Sequence, residues 1–218
     1  MGDDKYFTNS RPEMDQFLPM EIKNAIEFGC GEAIFLSRVK EKFQCEAWGV
    51  DIDQNSLMKA EVKIDRCLLG NADQILTELP NNYFDCLICN DFLEHIIDPA
   101  DFLRKIAPKL NAGAYLISSI PNVRYCENVF ELLIKKDWKY KEAGILDRTH
   151  LRFFTKKSVQ RMVDDAGFKI VRIKGINRQG GLLGSLALML FDIISLGTQT
   201  DMKYLQFGLI AQLRDPVV

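Results

Sequence analysis

A short apolar run, Ala25-Ile26-Glu27-Phe28, passes directly into Gly29-Cys30-Gly31, and a second run ends in Asp51 about 20 residues after the first glycine. Glycines let the backbone approach a ligand closely, and a carboxylate at that distance can accept hydrogen bonds from both hydroxyls of a ribose. The third glycine of a dinucleotide fingerprint is missing, because Ile34 occupies its place, which argues against a pyrophosphate ligand. The chain has two histidines, the residue type best suited to take a proton near neutral pH. His95 follows Asn90-Asp91-Phe92-Leu93-Glu94, and His150 lies in Asp147-Arg148-Thr149-His150-Leu151-Arg152. His150 reads either as a general base or as a side chain bonded within a rigid loop, and His95 either as a base or as a cap. Arg148 and Arg152 offer planar forks that grip an anionic acceptor or pair internally with Asp147.

These residues need a scaffold, and the hydrophobic pattern supplies one. Strands are expected at 24–28, 46–51, within 66–73, 83–90, 114–120, 168–174 and 204–213, with helices over 34–43, 54–62, 74–79, 99–110 and 156–166 between them. Such alternation makes an α/β, doubly wound, Rossmann-like sheet, in which ligands collect outside the carboxyl ends of the parallel strands. Asn71 and Asp73, after the third strand, are placed to meet a base, with Asp73 equally suited to cap the following helix. Asn111-Ala112-Gly113 reads as a turn before the fifth strand. Between that strand and the His150 loop, Tyr125, Trp138 and Tyr140 are candidates for the wall of an acceptor site, or simply for surface packing.

With 218 residues, 47% of them hydrophobic, the chain can bury one substantial core. A formal charge of −2 and the lack of a long basic run argue against a nucleic-acid partner. Cys86 and Cys89 form Cys-x-x-Cys inside a strand pattern, so their side chains leave opposite faces and read as buried thiols. The six cysteines show no disulfide or zinc spacing, and with no secretory signal pattern at the start a reduced, cytoplasmic setting is expected. Residues 1–20, with Tyr6, Phe7, Arg11, Pro12 and Phe17, read as a leader that packs aromatics or closes over the ligand. Residues 21–175 form the ligand-binding core and 204–218 its final strand. Residues 176–203 contain an apolar stretch that is shorter than the roughly 20 residues of a membrane span and broken by Asp192. It reads as a buried helix or a homodimer face in preference to a membrane anchor.

In order and at these intervals, Glu27-Phe-Gly-Cys-Gly31, Gly49-Val-Asp51, Gly70-Asn-Ala72, the 84–95 segment and Ser119-Ile-Pro-Asn122 resemble the class I S-adenosylmethionine-dependent methyltransferases. Arg11-Pro-Glu13, Ile120-Pro-Asn-Val-Arg124 and Leu146 to Thr155 resemble, more narrowly, a bacterial branch often associated with glycosyltransferases. The resemblance implies a seven-stranded sheet with an antiparallel last strand. It also implies that the turn at Glu27, Gly29, Cys30 and Gly31 holds the methionine part of the cofactor, with Asn90 and Asp91 beside it. Asp51 would bind the ribose, Ile52 pack on the adenine, and Asn71 and Ala72 read its edge. Ala33 and Asn71 depart from the family's usual glycine and aspartate.

The expected function is transfer of a methyl group from S-adenosylmethionine to a small-molecule or glycan-linked acceptor, with O-methylation leading. His150, Asp147 and His95 are the catalytic candidates, and Asn122, Tyr125, Arg148 and Arg152 the acceptor-binding ones. The Asn-Pro-Pro-aromatic element that serves amino groups of bases is absent, since Pro121-Asn122 has the opposite order. No metal is expected: Asp91 and Asn122 lack a third carboxylate at a matching spacing. Two alternatives are a cofactor-binding module without turnover and an NAD-dependent oxidoreductase.

Overall fold

The computed structural model of the chain describes residues 10–178 and 200–214. The expectations placed on Tyr6 and Phe7 and on the apolar stretch 182–196 lie outside the described residues. Seven strands form one sheet in the order β3-β2-β1-β4-β5-β7-β6. The first five, β1 (Asn24–Phe28), β2 (Glu46–Asp51), β3 (Arg66–Leu69), β4 (Phe84–Asn90) and β5 (Leu110–Pro121), are mutually parallel. The last, β7 (Tyr204–Leu213), runs antiparallel between β5 and β6 (Phe168–Arg178). The strand order reverses between β1 and β4, which opens a crevice at their carboxyl ends.

Two apolar layers sandwich the sheet, and the strands feed them alternately. Ala25, Ala47, Cys86, Ile88, Ile117 and Ile210 face one side, packed with α1 (Ile34–Phe43) and α2 (Gln54–Ala60). Ile26, Trp48, Leu87, Cys89, Leu116 and Leu209 face the other, against α3 (Ala72–Glu78), α4 (Pro99–Ile106) and α5 (Lys156–Asp165). Cys86 and Cys89 thus leave opposite faces, as the period of two demands. Among the described residues no helix is long and apolar enough to cross a membrane.

Three local expectations change. The cap of α3 is Asn71, whose side-chain oxygen accepts from the Gln74 N–H at 3.0 Å, while Asp73 sits exposed in the first turn. Residues 110–113 belong to β5 itself, and the helix expected over 99–110 ends at Ile106: the Asn111 amide donates to the Tyr83 carbonyl and to Asp85, and a bulge absorbs the extra residues. β6 runs four residues past the expected end, because β7 pairs with it as far as Arg178.

The N-terminal segment is tied down by a 3-10 turn, Pro12–Phe17, with Met14 and Phe17 fully buried. Close packing under the glycine turn is as tight. A Cβ on Gly49 would come within 2.7 Å of both the Cys30 sulfur and the Ile64 Cδ1. Gly49→Ala is therefore expected to destabilise the fold by about 1–3 kcal/mol, read from a shift in the denaturant midpoint. An unchanged midpoint would mean that the turn yields without cost.

Candidate active site

The carboxyl ends of β1, β2 and β4 border a cleft of about 510 Å³. At its floor the backbone turns sharply: Gly29 and Gly31 lie at φ +71° and +53°, and the N–H groups of Gly29 and Cys30 both donate to the Val50 carbonyl. A Cβ at Gly29 would also press to 3.2 Å from the Phe92 ring. Ala33, where a glycine was expected by resemblance, holds the same left-handed conformation at φ +56° at the start of α1. Asp51 fixes the turn from the neighbouring strand. One carboxylate oxygen accepts from the Gly31 N–H at 2.7 Å and the other from the Asp53 N–H at 2.9 Å.

Glu27, at the end of β1, is buried and pushed up to about 8, chiefly by desolvation and against the pull of Arg11. One of its oxygens accepts weakly from the Asn90 amide at 3.4 Å. The other, and the Asn90 side-chain oxygen, have no hydrogen-bond partner among the described residues. Two buried acceptors facing one cleft favour a ligand that brings donors and positive charge.

Asp91 stands at φ +46° and is held by three side chains from separate segments. Arg11 pairs with it, the Ser119 hydroxyl donates to it at 2.7 Å, and the Gln206 amide donates at 2.6 Å. Arg11 also donates to Ser119 at 2.9 Å. Arg11, Ser119 and Gln206 were not among the site residues expected from sequence. Arg11 carried a signal, its place in the Arg11-Pro-Glu13 stretch of the narrower resemblance, but its target was not readable. Ile52 lines the cleft with 77% of its surface exposed, and Asn71 and Ala72 line it beyond.

The two histidines meet at the rim, their ring centroids 4.8 Å apart. His95, in the 3-10 turn Leu93–His95, lines the cleft and is pushed below its ordinary value by burial and then by His150. His150 sits behind it with its Nε2 3.9 Å from Glu94. The remaining expected residues lie away from the cleft. Asp147 accepts from both the backbone and the hydroxyl of Thr149, at 2.8 and 2.7 Å. Arg148 pairs with Glu142 at 2.5 Å, and Arg152 donates to the Ile97 carbonyl at 2.8 Å. Asn122 is fully buried, donating to the carbonyls of Asp201 and Tyr204 and accepting from Arg124. Tyr125 is buried too, its phenol pushed up to about 12 chiefly by desolvation. Trp138 and Tyr140 pack on Phe153.

With this geometry in view, the family is plain. Residues 9–173 match the family model described as "Methyltransferase domain", and the chain belongs to that family. It is an enzyme of the S-adenosylmethionine-dependent methyltransferases, and the dehydrogenase alternative falls. Among curated relatives, a ubiquinone biosynthesis O-methyltransferase of Hydrogenovibrio crunogenus is 25% identical over 74% of this chain and 68% of its own length. An uncharacterized methyltransferase of Mycobacterium bovis is 27% identical over 47% of this chain, which spans about half (53%) of that relative. A solved methyltransferase from Archaeoglobus fulgidus superposes with a TM-score of 0.66 at 19% identity, covering 87% of this chain and 86% of that one. The [4+2]-cyclase SpnF also shares the fold, with a TM-score of 0.62 at 15% identity over 94% of this chain and 80% of its own, so the architecture alone does not dictate the reaction.

The residues present fit the cofactor. Its methionine end carries an ammonium, the partner that the free oxygens of Glu27 and Asn90 lack. Its ribose offers two hydroxyl donors, and Asp51 is a carboxylate at the cleft.

Proposed function

We propose that the protein methylates a hydroxyl of a small molecule, free or glycan-linked, by direct in-line displacement. The observation that carries this reading is His95, a cleft-lining histidine whose charged form burial disfavours, with Glu94 and His150 against it. S-adenosylmethionine, when bound, supplies an electrophilic methyl on a sulfonium with a neutral leaving group. The protein has only to align the partners, exclude water and handle one proton. Glu27 and Asn90 would hold the ammonium, Asp51 the ribose hydroxyls, Ile52 the adenine face, and Asn71 and Ala72 its edge. The acceptor O–H bond breaks with its proton passing to the His95 cluster. The oxygen then bonds to the methyl carbon, and the electron pair of the carbon–sulfur bond stays on sulfur. The curated relatives that are named ubiquinone biosynthesis O-methyltransferases support this choice of atom. A reduced, cytoplasmic setting suits six cysteines that are all free.

The test is product formation. With a panel of phenols, catechols and glycosides, hydroxyl acceptors are expected to give S-adenosylhomocysteine together with a methyl ether. Turnover on amines alone would refute O-methylation, and cofactor binding without any turnover would favour the binding module.

Glu27 yields a pH dependence with a definite sign. With its carboxyl near 8 in the free protein, it is mostly protonated at pH 7, and an incoming ammonium favours the carboxylate. Binding is therefore expected to release a proton at pH 7 and to tighten as pH rises towards about 8. Calorimetry in buffers of different ionisation enthalpy reads this directly. A buffer-independent enthalpy would show that Glu27 is already ionised or does not meet the ammonium.

A further inference from the structure

Two histidines and a carboxylate come together at the rim of the cleft: Glu94, His95 and His150 each offer one ligand atom, and these lie within 4.8 Å of one another. From this cluster we infer that the protein binds a divalent transition-metal ion, of the zinc type, through Glu94, His95 and His150. The inference builds on the hydroxyl-methylation reading for the ion's use, but the binding itself stands apart from it.

Glu94 is the first support. It is fully buried, and neither carboxylate oxygen has a hydrogen-bond partner among the described residues. A buried carboxylate without donors costs several kcal/mol, a cost that a coordinated cation removes. The Nε2 of His95 is likewise buried without a partner.

The tautomers point the same way. The Nδ1 of His95 lies 3.3 Å from the Thr149 carbonyl, and the Nδ1 of His150 lies 3.0 Å from the Ile145 carbonyl. A carbonyl can only accept, so each Nδ1 carries the hydrogen and each Nε2 keeps a lone pair. Backbone carbonyls orient metal-bound imidazoles in this manner.

The scaffold is also set in advance. The Leu151 and Arg152 N–H groups both donate to the Glu94 carbonyl, at 2.9 and 3.1 Å, lacing the His150 loop to the turn that bears Glu94 and His95. Arg152 adds its bond to Ile97, which gives that side chain a positioning role. At zinc bond lengths adjacent donors sit about 3.4 Å apart, so side-chain rotations that draw the three atoms together by up to about 1.4 Å would complete the site.

The donor set selects the ion. Magnesium and calcium prefer oxygen ligands throughout, whereas two imidazoles and one carboxylate suit zinc with a position left open. His95 borders the cleft, so the site adjoins it. There a divalent ion would lower the pKa of an acceptor hydroxyl, and this would take the place of proton acceptance by the His95 ring, whose Nε2 lone pair the ion would occupy. The expectation of no metal rested on Asp91 and Asn122, neither of which takes part.

The experiment is a calorimetric titration of chelator-treated full-length protein with Zn²⁺, without cofactor or acceptor. One equivalent is expected to bind, and Glu94→Gln and His150→Gln are each expected to weaken binding about 100-fold or more. Circular dichroism identifies any variant that has lost its fold. The Co²⁺ form of the unaltered protein, whose visible spectrum reports nitrogen ligation, tests the site without substitution. Absence of stoichiometric Zn²⁺ uptake, equal affinity in folded variants, or displacement of Zn²⁺ by equimolar Mg²⁺ would overturn the proposal. Zn²⁺ uptake together with failure to methylate any hydroxyl would leave the metal site standing and remove the acceptor reading instead.

Discussion

His95→Gln is expected to lower kcat on a hydroxyl acceptor about 100- to 10,000-fold, the range for loss of a group that handles the transferred proton. Glutamine keeps the reach and a polar end but neither takes a proton at neutral pH nor ligates a metal as imidazole does. The cofactor contacts assigned to Glu27, Asn90 and Asp51 lie on strand ends, whereas His95 lies in the 3-10 turn, so S-adenosylmethionine affinity should change by less than about threefold, within the range for sites without shared partners. Steady-state kinetics beside cofactor titration separates the two quantities. In the metal-free protein His150→Gln leaves the cleft-lining ring in place and removes one neighbour at 4.8 Å, so a smaller loss of kcat is expected. Equal activity of His95→Gln and the unaltered protein would place proton handling elsewhere and undo the present assignment.

Asp51→Ala is expected to weaken S-adenosylmethionine about 100-fold or more. Two hydrogen bonds from ribose hydroxyls to a carboxylate are worth roughly 1.5–3 kcal/mol each, and each 1.4 kcal/mol is tenfold in affinity. The substitution has a second effect, because Asp51 also receives the Gly31 and Asp53 N–H groups and so braces the glycine turn. Asp51→Asn divides these contributions. Its amide keeps one acceptor oxygen for the turn while losing the charge, so its affinity should fall between the other two. Calorimetry with S-adenosylmethionine, and with NAD as a control, reads the result. Retention of affinity in Asp51→Ala would remove the ribose role.

Much of the frame was legible in the chain because it depends on neighbours in sequence. The run 24–28, the glycine turn, the helix 34–43 and the strand 46–51 occupy the residues that periodicity and turn chemistry assigned to them. The Pro99 start of α4 follows in the same way from Asp98 capping it. Boundaries failed where a distant partner decided them. Asn71 rather than Asp73 caps α3, β5 starts early because Asn111 bonds across to Tyr83 and Asp85, and β6 extends because β7 continues beside it.

The site divides along the same line. Sequence alone determined that Glu27, the turn at Gly29 and Gly31, Asp51, Asn71 and Asn90 would meet at one sheet edge, since a strand's end, its turn and its register are set locally and a parallel sheet aligns those ends. Only the tertiary structure decided that Arg11 reaches Asp91, that Asn122 and Tyr125 are buried away from the cleft, and that His95 rather than His150 lines it. The Glu94–His95–His150 cluster belongs to that second class. Its members come from two segments laced by backbone hydrogen bonds, and no local period or spacing encodes which loop will dock on which turn.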